Sequence, residues 1–141
     1  MAFSFIIVAL NEHLVMPRRK TPIAPRLRLQ LKHGIAIGPG KAALLEQIAQ
    51  KGSISSAGRE LGMSYKRAWL LVDGMNTHFR APLVKAAKGG KRGGGAVLTL
   101  LGKQVLQRYR CMEQKALRAI TSDVTRFEKL LARQRACTRL H

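Results

Sequence analysis

Acidic residues are scarce in this sequence. Seven Asp and Glu stand against 26 Lys and Arg, which gives the 141-residue chain a formal net charge of +19. A charge of this size favours nucleic acid or an anionic membrane as the partner and says little about fold. The alternative is a solvated basic surface without a partner, but the basic residues cluster along the chain. Because carboxylates are few and no Ser-His-Asp set is evident, we expect no enzyme.

Cysteine and aromatic residues are also rare. Cys111 and Cys137 are far apart, and no C-x-x-C pair or Cys/His cluster has the spacing of a zinc site. We therefore expect no metal and no cofactor, and free thiols in a cytoplasmic protein, since a structural disulfide would require secretion. With one Trp, two Tyr and four Phe, the core must be filled mostly by aliphatic side chains.

Long hydrophobic runs are missing as well. No stretch approaches the ~20 apolar residues of a membrane span, so no membrane partner is expected. Residues 3–10, FSFIIVAL, resemble the core of a signal sequence, but no basic residue precedes them and no cleavage motif follows. A basic segment of the kind that commonly begins a protein starts at Met16. We expect residues 1–15 to be an upstream extension or a tail outside the fold, and residues 1–25 to form a flexible arm.

The next segment predicts a hairpin and a helix. RLRLQLK, residues 26–32, alternates in the manner of a half-buried strand, and His33-Gly34 would turn it back into a partner strand at 35–37. Pro39 opens a helix whose apolar stripe includes Leu44, Leu45, Ile48 and Ala49, and Gly52 ends it. GPGK resembles a phosphate-binding loop, but Ile at 35 and Ala at 42 replace the required Gly and Ser or Thr, which excludes an NTP site.

Residues 54–79 predict a helix-turn-helix. Ser53 caps a short helix over residues 54–61, Gly62 makes the turn, and Ser64 caps a second helix from Tyr65 to about Phe79. Small residues at 57 and 58 permit the helices to cross steeply. An ordinary helical hairpin is the alternative, but it does not predict basic residues at the exposed start of the second helix. We predict that this start contacts DNA through Ser64, Tyr65, Lys66 and Arg67.

Two further segments complete the predicted domain. Residues 83–98 form two short strands around a glycine-rich basic loop, typical of the wing of a winged helix, with Lys88, Lys91 and Arg92 as predicted DNA contacts. A solvated flexible loop is the alternative. Thr99 caps a long helix to about Arg133, whose apolar stripe is longer than this core needs, so we expect its first half to pack on its own domain and part of the rest to form a dimer.

These patterns together define the predicted architecture. We predict a mainly α fold with small β hairpins, a winged helix-turn-helix with a long C-terminal dimerisation helix. The domain covers residues 26–121, and residues 122–141 form the end of the long helix and a basic tail.

Two runs resemble a known family. GPGKAALLEQIAQKGSISSAGRELGMSYKRAWLLVDGMN and PLVKAAKGGKRGGGAVLTLLGKQVLQRY resemble the N-terminal DNA-binding domain of the ModE-type molybdate-responsive transcriptional regulators. The most specific parts are GMSYKRAWLLVD and the glycine-rich segment followed by LT-x-x-G. The resemblance covers roughly residues 26–120, and it implies a winged helix related to the LysR-type head and a dimeric bacterial or archaeal transcription factor.

The sequence departs from this family in two respects. Full-length regulators of this type carry C-terminal oxyanion-binding domains, whereas the sequence stops at His141, so molybdate binding is not expected from this chain. Ala86-Ala87 occupies a wing strand where related proteins often have polar or charged residues, which reduces the backbone contacts expected there.

Two functions remain after these considerations. The first is a sequence-specific transcriptional regulator that binds double-stranded DNA as a homodimer in the cytoplasm. The second is a non-specific basic protein associated with the nucleoid or with RNA, which the charge of +19 fits equally well.

Overall fold

The computed structural model describes residues 26–31, 34, 36–87 and 94–131. Over these residues the chain forms two antiparallel hairpins and four helices, and the last helix is long. The elements in chain order are β1 (Leu29–Gln30), β2 (Ala36–Ile37), α1 (Pro39–Lys51), α2 (Ile54–Glu60), α3 (Tyr65–His78), β3 (Val84–Ala87), β4 (Gly95–Leu98) and α4 (Leu100–Glu128). This arrangement is a winged helix-turn-helix with a long last helix and confirms the predicted fold class; the dimerisation role of that helix stays a prediction.

Local side-chain chemistry starts and ends the helices as predicted. The hydroxyls of Ser53, Ser64 and Thr99 accept hydrogen bonds from the backbone N–H groups three residues later, at 3.4, 3.2 and 3.0 Å. Gly52 ends α1 with a φ of 67° and donates its N–H to the Ile48 carbonyl. These bonds satisfy backbone groups that a helix leaves without partners at its ends.

The first strand is shorter than predicted. The alternation over 26–32 suggested a strand of seven residues, but among the described residues Leu29–Gln30 alone pair with β2, with Leu29 opposite Ile37. The Leu31 carbonyl accepts a hydrogen bond from the Gly34 N–H at 2.9 Å. The alternation would place Leu31 on the same covered side as Leu29, but its side chain is 57% exposed. Ala42 and Tyr109 cover Leu29 and Ile37, and this cover does not extend to Leu31.

One main core joins the three shorter helices and the second hairpin. Its fully buried members come from α1, α2, α3 and the β3–β4 hairpin; they include Leu44, Leu45, Ile48, Ala57, Ala68, Met75 and Leu83. Ala49, predicted to share the buried stripe of α1, is exposed, and Ala42 takes a buried position instead. Aliphatic side chains thus fill this cluster, as the scarcity of aromatic residues predicts.

The first half of α4 packs on this domain and the second half does not. Tyr109 is buried with Ile37 and Ala42, and its hydroxyl donates to the Leu27 carbonyl at 2.8 Å. Beyond it, the apolar stripe is exposed, including Ile120 at 38% and Phe127 at 64%. The helix ends at Glu128, before the predicted Arg133, which lies outside the described residues. No helix among these described segments has the length and apolar character needed to cross a membrane.

Arg110 ties α4 to α1. Its Nε and one terminal nitrogen donate to the two carboxylate oxygens of Glu46, both at 2.7 Å, and the other terminal nitrogen donates to Glu113 at 2.7 Å. Hydrogen bonding to Arg110 is the main reason that the pKa of Glu46 lies below its ordinary value. A two-point guanidinium–carboxylate contact is directional as well as charged, so it fixes the angle between the two helices.

Candidate nucleic-acid interface

The crossing of α2 and α3 sets the direction of α3. Gly62, in the turn, has a φ of 65°, a left-handed conformation that favours glycine. A Cβ added to Gly58 would lie 3.0 Å from the Ala68 Cβ, so only very small residues fit where the helices cross. The Met63 N–H closes the turn on the Gly58 carbonyl at 2.9 Å. The predicted turn is confirmed, and it leaves the start of α3 outside the core.

The four residues predicted at the start of α3 are all exposed. The Ser64 hydroxyl caps the helix through the Arg67 N–H, and Tyr65 has 59% of its surface exposed. Lys66 and Arg67 follow directly and are exposed as well. Their side chains have no ion-pair partner within the described residues. Two cations and a helix N-terminus therefore share one exposed end of α3, an arrangement that attracts anions.

The outward face of α3 continues beyond its first turn. Ala68, Val72 and Met75 are buried, and the opposite side of the helix carries Lys66 and, one turn later, Leu70. Leu70 is 55% exposed, and sequence analysis did not assign it. The signal that finds it is its four-residue spacing from Lys66, on the side opposite the buried stripe. An apolar side chain in this position can contact the thymine methyl group in a major groove.

Asn76 fastens the second hairpin to α3. Its Oδ1 accepts the N–H groups of Leu83 and Val84 at 2.8 and 3.1 Å, and its Nδ2 donates to the Val84 carbonyl at 2.8 Å. A single side chain thus satisfies three backbone groups at the start of β3. The sequence analysis missed this residue, although a polar residue directly after buried Met75 could have indicated a structural hydrogen bond.

The β3–β4 hairpin lies beside α3. A groove of about 300 Å³ separates them, and its lining includes Tyr65, Trp69, Asp73 and Lys85. Exposed Lys85 is a basic residue that sequence analysis did not assign to the interface. The strands pair from Val84 opposite Leu98 to Ala87 opposite Gly95.

The predicted wing contacts lie beyond the described part of this hairpin. Ala87 and Gly94 are its last described residues, and Lys88, Lys91 and Arg92 lie outside the described residues. Within the described residues, no group of three or more His, Cys, Asp or Glu is arranged to hold a metal ion.

Comparison with known proteins finds ModE regulators and a molybdenum-pterin-binding protein among the relatives of this chain. The molybdenum-pterin-binding protein MopB of Rhodobacter capsulatus is 46% identical over 98 residues, which are 70% of this chain and 35% of that protein. The transcriptional regulator ModE of Yersinia pestis is 40% identical over 109 residues, 75% of this chain and 41% of that protein. The DNA-binding transcriptional dual regulator ModE of Escherichia coli K12 is 40% identical over 100 residues, which are 69% of this chain and 38% of that protein.

Over this stretch the chain is homologous to the ModE-type regulators. The predicted resemblance to them is thereby confirmed for about 70% of the chain. The chain spans about two fifths of the length of the ModE relatives and 35% of MopB. No protein-family model matches it.

Two solved structures resemble this chain in outline. The crystal structure of the CbnR DBD–DNA complex matches 64% of this chain and 95% of its own, with 18% identity and a TM-score of 0.49. Full-length LTTR LysG from Corynebacterium glutamicum with bound effector Arg matches 66% of this chain and 30% of its own, with 22% identity and a TM-score of 0.48. The fold assignment rests on the element order and packing described above.

Proposed function

We propose that this chain is a sequence-specific DNA-binding transcriptional regulator that acts in the cytoplasm. The observation that carries the proposal is the exposed start of α3, where Lys66 and Arg67 have no ion-pair partner among the described residues and lie beside a hairpin fastened by Asn76. The names of the ModE relatives as transcriptional regulators support it. No catalytic group and no molybdate site are proposed on the described residues.

The proposed mechanism places α3 in a major groove of double-stranded DNA. Lys66 and Arg67 would contact base edges, since Arg and Lys are the commonest donors to guanine there. Ser64 and Tyr65 would contact phosphates at the groove edge. The wing residues Lys88, Lys91 and Arg92 are proposed from the sequence to hold the flanking backbone.

Alanine substitution of the α3 cations tests base recognition. We expect Arg67→Ala or Lys66→Ala to reduce the preference for selected over random DNA by about 1–3 kcal/mol, because a lost base contact removes discrimination. Lys91→Ala is the matched control, since it removes one charge from the wing and should weaken binding to all sequences alike. Fluorescence anisotropy with selected and random duplexes measures both effects. Wild-type discrimination in both α3 variants would contradict the assignment.

Non-specific nucleic-acid binding is the alternative function, because a charge of +19 attracts any polyanion. Competition at physiological salt distinguishes the two. A specific regulator keeps a selected duplex in the presence of excess random DNA, and a packaging protein releases it. Selection of bound genomic fragments, with and without molybdate, supplies the duplex and also tests whether an effector changes the sites.

The proposed functional unit is a homodimer formed through the second half of α4. Exposed apolar side chains follow one stripe there, including Ile120 and Phe127, and no described part of the chain covers them. A two-fold dimer would bury this stripe and present two α3 helices to half-sites one helical turn apart or a multiple of it.

A charge placed on this stripe tests the dimer. We expect the wild-type chain to be a dimer at micromolar concentration and Ile120→Asp to be a monomer, because a carboxylate would be buried without a partner. Ser122→Asp adds the same charge on another side of the helix and should leave the dimer intact. Light scattering measures the mass of each. A monomeric wild-type protein would contradict the proposal.

A further inference from the structure

A second groove borders α3 along the edge that faces away from the β3–β4 hairpin. It has a volume of about 250 Å³ and lies between the start of α3, the start of α1 and the segment before β1. Three basic residues line it: Arg28, Lys41 and Arg67. Partly buried Met63 and Leu71 also line it and pack against the main core. The groove, called here the Arg28 groove, is therefore supported by the helix-turn-helix itself.

Arg28 and Arg67 give the Arg28 groove a positive charge. No carboxylate of the described residues lines it, and neither the Arg28 nor the Arg67 guanidinium has a hydrogen-bond or ion-pair partner within that part of the chain. By contrast, the groove beside the hairpin contains Asp73 opposite Lys85. Like charges around one groove repel one another, and an anion between them relieves the repulsion.

Arg28 is positioned over the start of α1. Its Cγ would lie 3.5 Å from a Cβ built on Gly38, so its aliphatic stem runs along the backbone at that residue. Its side chain remains exposed to solvent at the rim. Gly40 and Lys41, which follow Gly38 in the sequence GPGK, also line the groove. GPGK lacks the residues needed to bind a nucleotide. A cationic rim around an open groove suits an anion carried by a large partner.

We propose that the Arg28 groove binds backbone phosphates of the duplex at the edge of the major groove entered by α3. This inference rests on the proposed function. Arg67 lies both at the exposed start of α3 and in the lining of the groove, so Arg28 is placed where the DNA backbone borders that major groove. Guanidinium groups match phosphate oxygens in geometry as well as charge. The phosphate contact of Arg28 fixes the register of the protein on DNA and carries no sequence preference, whereas Arg67 keeps its proposed base contact.

The salt dependence of DNA binding tests the proposal. Binding of the full chain to a selected duplex and to a random duplex is measured by fluorescence anisotropy from 50 to 200 mM salt. We expect Arg28→Gln to reduce the slope of log K against log salt by about 0.9 per bound subunit, equally for both duplexes. Arg28→Lys should retain most of the slope because it keeps the charge. Arg118→Gln, which removes one exposed charge from the second half of α4, should leave the slope unchanged.

Neutral analogues of the phosphate group show which phosphate of the duplex Arg28 contacts. Methylphosphonate groups placed one at a time along the selected duplex should include a position that weakens wild-type binding and has no further effect on Arg28→Gln. An Arg28→Gln protein with wild-type slope, affinity and methylphosphonate profile would overturn the inference. If the α3 variants still lose base preference, the proposed function survives that result. If the wild-type protein itself does not discriminate between the two duplexes, the proposed function fails, and the inference about Arg28, which rests on it, fails as well.

Discussion

Asn76→Ala is expected to lower the free energy of unfolding by about 3 kcal/mol. The substitution removes three hydrogen bonds at once, to the Leu83 N–H and to both backbone groups of Val84. Leu83 and Val84 are buried, so water does not replace the lost partners easily. A buried backbone group left without a partner costs about 1–3 kcal/mol, and relaxation of β3 lowers the sum. Urea denaturation followed by circular dichroism measures the change.

Two other substitutions separate this effect from simple loss of a polar residue. Asn76→Asp keeps an oxygen that accepts the Leu83 and Val84 N–H groups but lacks the donor to the Val84 carbonyl, so it should be less destabilising than alanine. Thr77→Ala removes only an exposed bond to the Asp73 carbonyl and should change stability by less than about 0.5 kcal/mol. Equal stability of the alanine variant and wild type would show that the three bonds do not hold the hairpin.

The same contacts connect stability with DNA binding. Asn76 is the described side chain that joins the last turn of α3 to β3 through hydrogen bonds. If these bonds are lost, the hairpin can shift relative to α3, and a wing held in the wrong place no longer contacts the backbone beside the major groove. Asn76→Ala should therefore weaken binding to selected and random DNA alike, since it leaves the proposed base contacts unchanged.

Features that depend on neighbouring residues were predictable from the sequence. Ser64 caps α3 and Gly62 makes the turn because each requirement arises within a few residues of the chain. Ala68, Val72 and Met75 recur at the three- and four-residue spacing of one helix face, and all three are buried. These local rules were enough to place Lys66 and Arg67 on an exposed helix start.

Features that depend on distant partners were not predictable in the same way. Arg110 pairs with Glu46 across 64 residues of sequence. Nothing in the sequence distinguishes Arg110 from the other basic residues of this amphipathic helix. Arg28 alternates with leucines in RLRLQLK, but its proximity to Arg67 arises only when the segment before β1, α1 and α3 pack together. Leu31 does not follow the alternation rule because the rule assumes a layer that covers the whole strand, whereas Ala42 and Tyr109 cover only Leu29 and Ile37 of this hairpin.

Gly102→Ala is expected to lower the free energy of unfolding by about 3 kcal/mol. Gly102 is the glycine of the LT-x-x-G motif, and a Cβ there would overlap the carbonyl oxygen of Leu83. That oxygen also accepts the Thr99 N–H at 2.9 Å. The backbone cannot move away without breaking this bond, and overpacking against a fixed core costs about 1–3 kcal/mol before such losses. Thermal and urea denaturation measure the effect.

Gly74→Ala is the matched control, since it makes the same change within α3. Nothing lies within 4 Å of a Cβ built on Gly74, so alanine should stabilise the protein by about 0.5–1 kcal/mol through its helix propensity. Opposite signs at the two glycines would show that contact with Leu83, and not helix propensity, requires glycine at 102. A neutral Gly102→Ala would contradict the close approach of α4 to β3. Because that approach fixes α4 relative to the hairpin and α3, it also sets the spacing of the two α3 helices in the proposed dimer.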